Sequence, residues 1–507
     1  MLQAITDFLW WPVLVVALLG IGLIFTVRSR FVQIRYFGEM FHVLGQAFHH
    51  QRGQVSSFQA LTLSVAGRVG AGNIAGVAVA ITLGGPGAIF WMWVVGIIGM
   101  ATSFFECSLA QLYKTRDERT GTFRGGPMFY IERGLGNRTL GMVFTILLLV
   151  TFGLAFVALQ SFVASSSLKE AFGIPELATG VALTILIGLT IFGGVQRISR
   201  VTEIIVPMMA ILYILVALGV TAFNIEQVPV VLSLIVKSAF GLEEAVGGGV
   251  GAAIVWGVKR GLFSNEAGLG SAPNVAAVAT VPHPVNQGIV QAFSVLIDTI
   301  VICTATAFLI LSVGMDGLIG DLVITAIHAT AGDASLIAPH TPILAAATEL
   351  AAISDKGVVL TQLALAHHVG NWGEPLVSIV LLLFVFSSIL YNFYLGENAT
   401  YWIKPTDRIT FIVFRVLMLL LILWGSTQDL STVFAFADLT MALLAVVNLV
   451  ALVLLTRPVL RLLEDYKIKA RAGEVPVFDS RQFSDLDIDH DAWKDAAASV
   501  VTKVSST

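Results

Sequence analysis

The chain has 507 residues, of which 56% are hydrophobic and only 12% are charged, and its mean hydropathy is +0.87. A soluble globular protein carries about 25% charged residues, so this composition excludes an ordinary soluble domain and indicates a polytopic helical membrane protein. The net charge of −4 is too small to indicate a nucleic acid partner. The two cysteines, Cys107 and Cys303, lie in apolar stretches and give neither a disulfide framework nor a metal-binding spacing.

Eleven apolar stretches are long enough to cross the hydrocarbon layer, which is about 30 Å thick, at about 1.5 Å per helical residue. No basic residue precedes the first stretch, so it predicts a spanning helix and not a signal peptide. In chain order the predicted spans are 8–27, 59–83, 87–113, 141–165, 179–195, 202–223, 246–280, 286–313, 375–397, 408–425 and 431–455.

Two further apolar patterns are too short or too interrupted to be spans. Residues 314–374 form a long exterior segment with two helix-like patches, "LVITAIHATAG" and "TPILAAATELAAI". A shorter patch, "VPVVLSLIVKSAF", precedes the sixth core span. Because long loops often carry lids, we expect these patches to lie along the outer surface.

The basic residues are distributed unevenly among the segments that join the spans. If the N-terminus lies outside, the cytoplasmic segments are 28–58, 114–140, 196–201, 398–408 and 456–507. They hold 4, 6, 2, 2 and 8 Lys or Arg residues, which is 22 of the 29 in the chain. The positive-inside rule therefore favours an exterior N-terminus and a cytoplasmic C-terminus in the plasma membrane.

Two spans are interrupted by glycines and polar residues that a simple lipid-spanning helix does not need. The first interruption lies near residues 67–73, within "GRVGAGNIAGVAVAITLGGPG" (67–87), and the second lies near residues 257–270, within "GVKRGLFSNEAGLGSAP" (257–273). Without the N-terminal span, they fall in spans 1 and 6 of the remaining ten. An offset of five reverses the direction of the second group, which predicts an inverted repeat with the two broken helices as counterparts.

Unwound backbone inside a membrane is tolerated only where a cavity or a ligand satisfies its N–H and C=O groups. The half-helix that begins near Ile74 presents N–H groups and partial positive charge to an anion, and Asn73 is placed to cap it. The carbonyl groups of Ala66 and Val69, which end the preceding half-helix, suit a cation. The alternative for these glycines is close helix packing, and the sequence leaves both interpretations open.

Four stretches carry a resemblance to a known family: "GAGNIAGVAVAITLGGPGAIFWMW" (70–93), "FRGGPMFYIERGLG" (123–136), "VKRGLFSNEAGLGSAPNVAAVA" (258–279) and "HPVNQGIVQAFSVLIDTIVICTAT" (283–306). They resemble segments of the alanine or glycine:cation symporter family, in the amino acid–polyamine–organocation superfamily. The resemblance implies an all-α polytopic membrane protein with eleven transmembrane helices, a LeuT-type 5+5 inverted repeat preceded by one extra helix. It also implies symport of alanine or glycine with Na⁺, or with H⁺, and no cofactor.

The resemblance further implies which positions bind the substrate. The first break faces the substrate carboxylate, one polar residue of the third core helix reaches the pocket, and the second break contacts the ammonium group and the side chain. These positions are Gly70, Ala71, Gly72 and Asn73, then Gln160, then Trp256, Gly257, Phe263, Ser264 and Asn265. The alternative role for Gln160 is an interhelical hydrogen bond.

In folds of this type, carbonyls of core helix 1 and hydroxyls of core helix 8 hold the cation. The resemblance therefore implies a sodium site made of Ala66, Val69, Ser387 and Ser388. The alternative for the serine pair is hydrogen bonding to the backbone of its own helix.

Three further residues are candidates for ion coupling: Asp298, Thr299 and Glu266. Ionisable residues at membrane depth indicate functional sites. Asp298 has three possible roles, namely a place on the cation path or a pair with Arg68 or Arg260. For Glu266 we prefer a structural pair with Lys259 or Arg260 over proton transport.

The predicted organisation has four parts: an N-terminal helix and linker (1–58), a first five-helix repeat (59–225), a second (226–456) and a cytoplasmic tail (457–507). Within the same fold, the alternatives are a proton-coupled symporter or one that prefers glutamine or D-alanine. A membrane-embedded enzyme is disfavoured, because the histidines are scattered among loops and no G-x-S-x-G motif occurs.

Overall fold

The structure is a computed structural model that describes residues 2–46, 54–118, 120–242, 249–313, 357–428 and 430–494. Almost all of its regular structure is helical, and only Thr115–Arg116 and Phe123–Arg124 form a short antiparallel strand pair. The longer helices, in chain order, are α1 (Ile5–Arg28), α2 (Phe37–Gln46), α3 (Ser57–Arg68), α4 (Gly72–Gly84), α5 (Gly87–Leu112), α6 (Pro127–Leu135), α7 (Arg138–Phe172), α8 (Glu176–Ile191), α9 (Gly194–Phe223), α10 (Gln227–Ala239), α11 (Gly249–Asn265), α12 (Ala272–Ala276), α13 (Pro284–Leu311), α14 (Gly357–Val369), α15 (Gly373–Ile403), α16 (Arg408–Gly425), α17 (Leu430–Leu454) and α18 (Thr456–Arg471).

Eight helical stretches in the described part of the chain are long and apolar enough to cross a membrane, so the protein is a multi-pass membrane protein. A ninth appears when α3 and α4, which are bent by 49° at their junction, count as one broken span. Two predicted spans, 179–195 and 246–280, correspond to shorter helices, namely the 16 residues of α8 and the pair α11 and α12. The count of eleven spans and the 5+5 repeat therefore stay predictions.

Polar residues at helix starts explain several of the helix boundaries. Before α3, the hydroxyl of Ser56 accepts a hydrogen bond from the Gln59 N–H, and the Gln59 side chain accepts one from the Ser56 N–H. This reciprocal capping box satisfies two backbone N–H groups that the helix itself leaves free. Asn137 caps α7 and Asp407 caps α16 without such a reciprocal bond, since in each case only the side-chain oxygen of the capping residue accepts from backbone N–H groups of the first turn.

Helix α14 is absent from the elements expected from the sequence, which place residues 314–374 in an exterior segment. It lies directly before α15 and packs against the first broken helix, where an added Cβ at Gly357 would come 2.9 Å from the Ala75 carbonyl oxygen. The two helix-like patches, 322–332 and 341–353, lie outside the described residues.

Helix α3 and the second half of α11 lie in the interior of the bundle. Helix α5 packs against α11 and α13, and α15 packs against α3, α7 and α9, so these longer helices enclose both broken segments. Nearly every residue of α3 and of the second half of α11 is buried. The two glycine-containing breaks therefore lie inside protein, where unwound backbone finds partners.

The C-terminal segment packs against the ends of the bundle helices. The Phe478 N–H donates to the Pro282 carbonyl oxygen just before α13. The ammonium of Lys114, just after α5, lies 4.1 Å from the ring centroid of Trp493 and 4.2 Å from that of Phe123. The ring of Trp493 also lies 4.7 Å from that of Phe478, so aromatic contacts hold the predicted tail against the bundle.

Candidate functional site

The first break separates α3 from α4. Val69 leaves the helical conformation with φ −81° and ψ 90°, and the helix resumes at Gly72. The side-chain oxygen of Asn73 accepts a hydrogen bond of 2.9 Å from the Gly70 N–H. A Cβ added at Gly70 would lie 2.5 Å from the Ser388 hydroxyl oxygen and 2.9 Å from the Gln160 amide nitrogen, so any larger residue there would displace these two side chains.

The second break separates α11 from α12. Glu266, directly after α11, has a left-handed backbone with φ +55°, and Gly268 and Gly270 have φ +97° and +80°. The Asn265 side-chain oxygen accepts from the Ala267 N–H at 2.9 Å. Glu106 of α5 accepts a 3.3 Å hydrogen bond from the Gly268 N–H, so side chains satisfy part of this unwound backbone.

The carboxylate of Asp298 in α13 joins the two breaks. It accepts hydrogen bonds from the Asn73 amide at 2.6 Å, from the Ser264 hydroxyl at 2.8 Å and from the Thr299 hydroxyl at 2.7 Å. The Asn73 amide also donates to the Ser264 hydroxyl at 3.2 Å. All four side chains are buried, and three converging donors match an ionised carboxylate, which only accepts hydrogen bonds.

Oxygen atoms at the end of α3 form a second polar group. The Ser388 hydroxyl of α15 donates to the Ala66 carbonyl oxygen at 2.8 Å and to the Val69 carbonyl oxygen at 3.5 Å. The neighbouring Ser387 hydroxyl instead donates to the Phe384 carbonyl oxygen at 2.9 Å and lies 3.6 Å from the Met209 sulfur. The structure therefore brings Ser388, but not Ser387, to the carbonyl oxygens of the first break.

Gln160 and Phe263 complete the surroundings of the first break. The Gln160 side-chain oxygen accepts from the Ala71 N–H at 3.2 Å. The Phe263 ring lies against Gly72, where an added Cβ would come within 2.9 Å of it, and against the ring of Phe156 at 5.2 Å. A polar amide and an aromatic wall thus meet at the start of α4.

Two of the predicted site residues lie elsewhere. Gly257 packs against α5, since an added Cβ would lie 2.5 Å from the Ala88 carbonyl oxygen and 2.6 Å from the Cβ of Trp91. Trp256 lies beside two cations, with the Lys259 ammonium 4.9 Å from its ring centroid. The close-packing interpretation of glycine, left open by the sequence, therefore describes Gly257.

The expected pairing of Glu266 with Lys259 or Arg260 is wrong. Both cations contact Asp438 of α17, at 2.6 Å and 3.3 Å respectively. Glu266 accepts instead from the hydroxyls of Ser271 at 2.5 Å and Tyr391 at 2.9 Å. The better counter-ion lies on another helix, which local spacing along α11 does not reveal.

The two arginine partners proposed for Asp298 also bind other groups. Arg68 donates to the Ser103 hydroxyl at 3.0 Å, to the Gln291 carbonyl oxygen at 3.0 Å and to the Ser294 hydroxyl. Arg260 contacts Asp438, so neither arginine is among the hydrogen-bond partners described for Asp298, and its place on the cation path stays a prediction.

The amino-acid sequence also matches a known protein family. The sequence profile of the sodium:alanine symporter family matches residues 1–480. The chain belongs to the sodium:alanine symporter family. Membership confirms the family resemblance drawn from the hallmark segments, and the relatives are named as transporters, which fits a transport role and not an enzymatic one.

Three relatives show how evenly the similarity covers the chain. A probable sodium/glutamine symporter, GlnT of Bacillus subtilis, is 45% identical over 93% of this chain and 91% of the relative. A putative sodium/proton-dependent alanine carrier protein, YrbD of the same species, is 40% identical over 93% of each. The sodium/alanine symporter AgcS of Methanococcus maripaludis is 36% identical over 90% of this chain and 94% of that one.

The overall fold has a counterpart among solved structures. The crystal structure of a manganese transporter mutant from Eremococcus coleocola covers 88% of this chain and 92% of its own, with a TM-score of 0.52 and 14% identity. At this identity the likeness shows a shared polytopic fold and says nothing of the cargo.

Proposed function

We propose that the protein is a symporter that carries a small neutral amino acid, alanine in the first instance, together with Na⁺ by alternating access. One observation carries the proposal: the two broken helices contact each other through Asn73, Ser264 and Asp298 in the protein interior. Paired broken helices whose ends meet inside the bundle are the usual location of substrate and ion sites in transporters with internal repeats.

The substrate carboxylate is proposed to bind at the start of α4. There the Gly70 and Ala71 N–H groups donate to two neutral side-chain oxygens, those of Asn73 and Gln160. A carboxylate makes stronger hydrogen bonds to the same N–H groups and also benefits from the positive end of the helix dipole. In this proposal it takes the place of the Gln160 oxygen.

The cation is proposed to bind at the end of α3, beside the carboxylate. The Ala66 and Val69 carbonyl oxygens and the Ser388 hydroxyl oxygen already lie together there. Hard cations prefer oxygen ligands, and the C-terminal end of a helix carries partial negative charge. Cation binding would turn the Ser388 hydroxyl so that its oxygen, and not its proton, faces the site.

Alternating access follows from the position of the two breaks. The cation binds first and orders the start of α4, and the zwitterion then docks between the breaks. In this proposal, rocking of one group of helices against the other then opens the site to the second side of the membrane.

A small side chain fits the aromatic wall of Phe263 and Phe156 next to Gly72. Glutamine is the second candidate substrate, because the relative at 45% identity is named a probable sodium/glutamine symporter. The predicted alternatives of glycine and D-alanine belong to the same test.

The proposal is tested by uptake of radiolabelled alanine into proteoliposomes. We expect saturable uptake that requires an inward Na⁺ gradient and collapses when choline replaces Na⁺. Competition by glycine, serine, glutamine and D-alanine ranks the substrates. Uptake that persists equally in potassium buffer without a pH gradient would remove the symport proposal.

Proton coupling is the second candidate mode of energisation, because a relative at 40% identity is named a putative sodium/proton-dependent alanine carrier. Glu266 is the residue that would carry the proton, since it is buried and contacts hydroxyl groups and no cation among its described hydrogen-bond partners. The Glu266→Gln variant, measured for uptake across pH, separates the two modes. Unchanged pH dependence removes Glu266 as a proton carrier.

A further inference from the structure

Tyr391 lies between the two broken helices, although it belongs to neither of them. It is a buried residue of α15, and its ring lies directly against Gly67 of α3. An ideal Cβ at Gly67 would overlap the ring and would come 2.5 Å from its Cζ atom. The ring therefore fills the space that the missing side chain of Gly67 leaves on the first half-helix.

The hydroxyl group of Tyr391 reaches the second break. It donates a 2.9 Å hydrogen bond to the carboxylate of Glu266, which also accepts from the Ser271 hydroxyl at 2.5 Å. Glu266 has the left-handed backbone conformation at which α11 ends. A non-glycine residue in that conformation is strained and needs contacts that hold it in place. Tyr391 supplies one of them.

The same face of α15 also touches the proposed cation site. Ser388 lies one helical turn before Tyr391, and its hydroxyl donates to the carbonyl oxygens of Ala66 and Val69. These two residues flank Gly67 along α3. Helix α15 therefore contacts the first half-helix through Ser388 and Tyr391 together, and Tyr391 alone extends the contact to Glu266.

We propose that Tyr391 is a positioning residue that couples occupancy of the cation site at Ser388 to the conformation of the second break at Glu266. A cation between Ala66, Val69 and Ser388 changes how the end of α3 lies on α15. Tyr391, packed on Gly67, shifts with that contact, and its hydroxyl transmits the shift to Glu266. The inference rests on the proposed function, because it assumes that Na⁺ binds at Ser388.

The coupling has a thermodynamic measure that structural damage alone does not move. It is the factor by which saturating Na⁺ lowers the dissociation constant for alanine, and such factors are typically about 5–150. A residue that only supports the fold weakens binding with and without Na⁺ alike and leaves the factor unchanged. A residue that connects the two sites lowers the factor itself.

The experiment is equilibrium binding of radiolabelled alanine to the purified full-length protein, with Na⁺ or with choline. Tyr391→Phe keeps the ring on Gly67 and removes the hydrogen bond to Glu266. We expect the Na⁺ factor to fall several-fold toward 1, because the hydroxyl that connects the two sites is lost. Tyr466→Phe is the matched control, because this buried tyrosine of α18 also donates to a carboxylate, that of Glu39 in α2, at 3.1 Å, and neither residue belongs to a broken helix.

The Glu266→Gln variant tests the same link independently, and it remains informative if Tyr391→Phe folds poorly. It keeps an acceptor oxygen but removes the charge, so we expect a smaller decrease of the Na⁺ factor. In the double variant the two decreases do not add, because both act on one hydrogen bond.

Two results would overturn the inference, and they are distinguishable. If wild type shows a Na⁺ factor and Tyr391→Phe retains it, the link is wrong and the proposed function stands. If Na⁺ does not change alanine binding in wild type at all, the proposed function fails and the link fails with it.

Discussion

Asp298 offers the sharpest perturbation of the site, because its carboxylate connects both breaks and α13. The variant Asp298→Asn preserves the shape of the side chain and removes its charge. One side-chain oxygen remains to accept from Asn73, but an NH₂ group replaces the oxygen to which the hydroxyls of Ser264 and Thr299 donate. The hydrogen bond from Asn73 is therefore weakened, and the hydroxyls of Ser264 and Thr299 lose their acceptor.

The size of the effect follows from these contacts. A hydrogen bond to a charged group contributes about 1.5–3 kcal/mol, and the two hydroxyls recover part of it by turning to accept from the new NH₂ group. A net loss of about 3 kcal/mol corresponds to a decrease of about a hundredfold in the population of molecules with the two breaks joined. We expect Na⁺-driven alanine uptake to decrease by about that factor.

The assay is initial-rate uptake into proteoliposomes at matched protein content. Thr299→Val removes one of the three donors, so it should decrease uptake about tenfold and fall between wild type and Asp298→Asn. Glu176→Gln is the control for charge removal, because Glu176 forms an exposed ion pair with Lys169 at 3.0 Å and such pairs contribute little. Asp298→Asn uptake within about threefold of wild type would show that the Asp298 carboxylate does not hold the two breaks together.

Three further variants test other parts of the structure. Gly67→Ala should decrease uptake about tenfold, because its Cβ overlaps the Tyr391 ring and overpacking costs about 1–3 kcal/mol. Gly20→Ala is the control, because a Cβ at Gly20 meets open space, and equal uptake by the two variants would contradict the prediction. Asp438→Asn removes the carboxylate that the buried side chains of Lys259 and Arg260 contact, which should lower the free energy of unfolding by about 3–5 kcal/mol and so lower the melting temperature. An unchanged melting temperature would show that Asp438 has no structural role. Burial lowers the pKa of His283 below its usual 6.5, so the stability that the neutral imidazole contributes is complete above pH 6.5 and is lost as the pH falls. His283→Asn keeps a capping oxygen and should therefore flatten the decrease in melting temperature between about pH 7.5 and about pH 5.5. An identical slope in the variant and the wild type would count against this role of His283.

Local composition was enough to predict where the chain is interrupted. Glycines and polar residues in otherwise apolar spans have few uses in lipid, so the segments around Gly70 and Gly268 stand out without any tertiary information. The family assignment could be reached for the same reason, since its hallmark residues lie in these two segments.

Contacts between distant helices could not be predicted in this way. Ser387 and Ser388 are equivalent in sequence, and only the rotation of α15 decides that Ser388 faces α3. Gly257 is indistinguishable from a ligand-binding glycine until its close approach to Ala88 is known. Tyr391 is one of several aromatic residues in an apolar helix, and only its contact with Glu266 distinguishes it from the others.

The choice of counter-ions shows the same limit. Lys259 and Arg260 lie close to Glu266 in sequence, and this proximity suggested the pair. Their carboxylate is Asp438, more than 170 residues further along the chain. A sequence signal exists, because Asp438 is an ionisable residue within the last predicted span and such a residue requires a partner.

The central claim is that the two breaks together hold an amino acid and its accompanying cation. It is tested most directly by an experimental density map of the protein in saturating alanine and Na⁺. We expect density for the substrate carboxylate at the N–H groups of Gly70 and Ala71, and for a cation among the oxygens of Ala66, Val69 and Ser388. Alanine bound away from both breaks, or a cation coordinated by none of these oxygens, would contradict it.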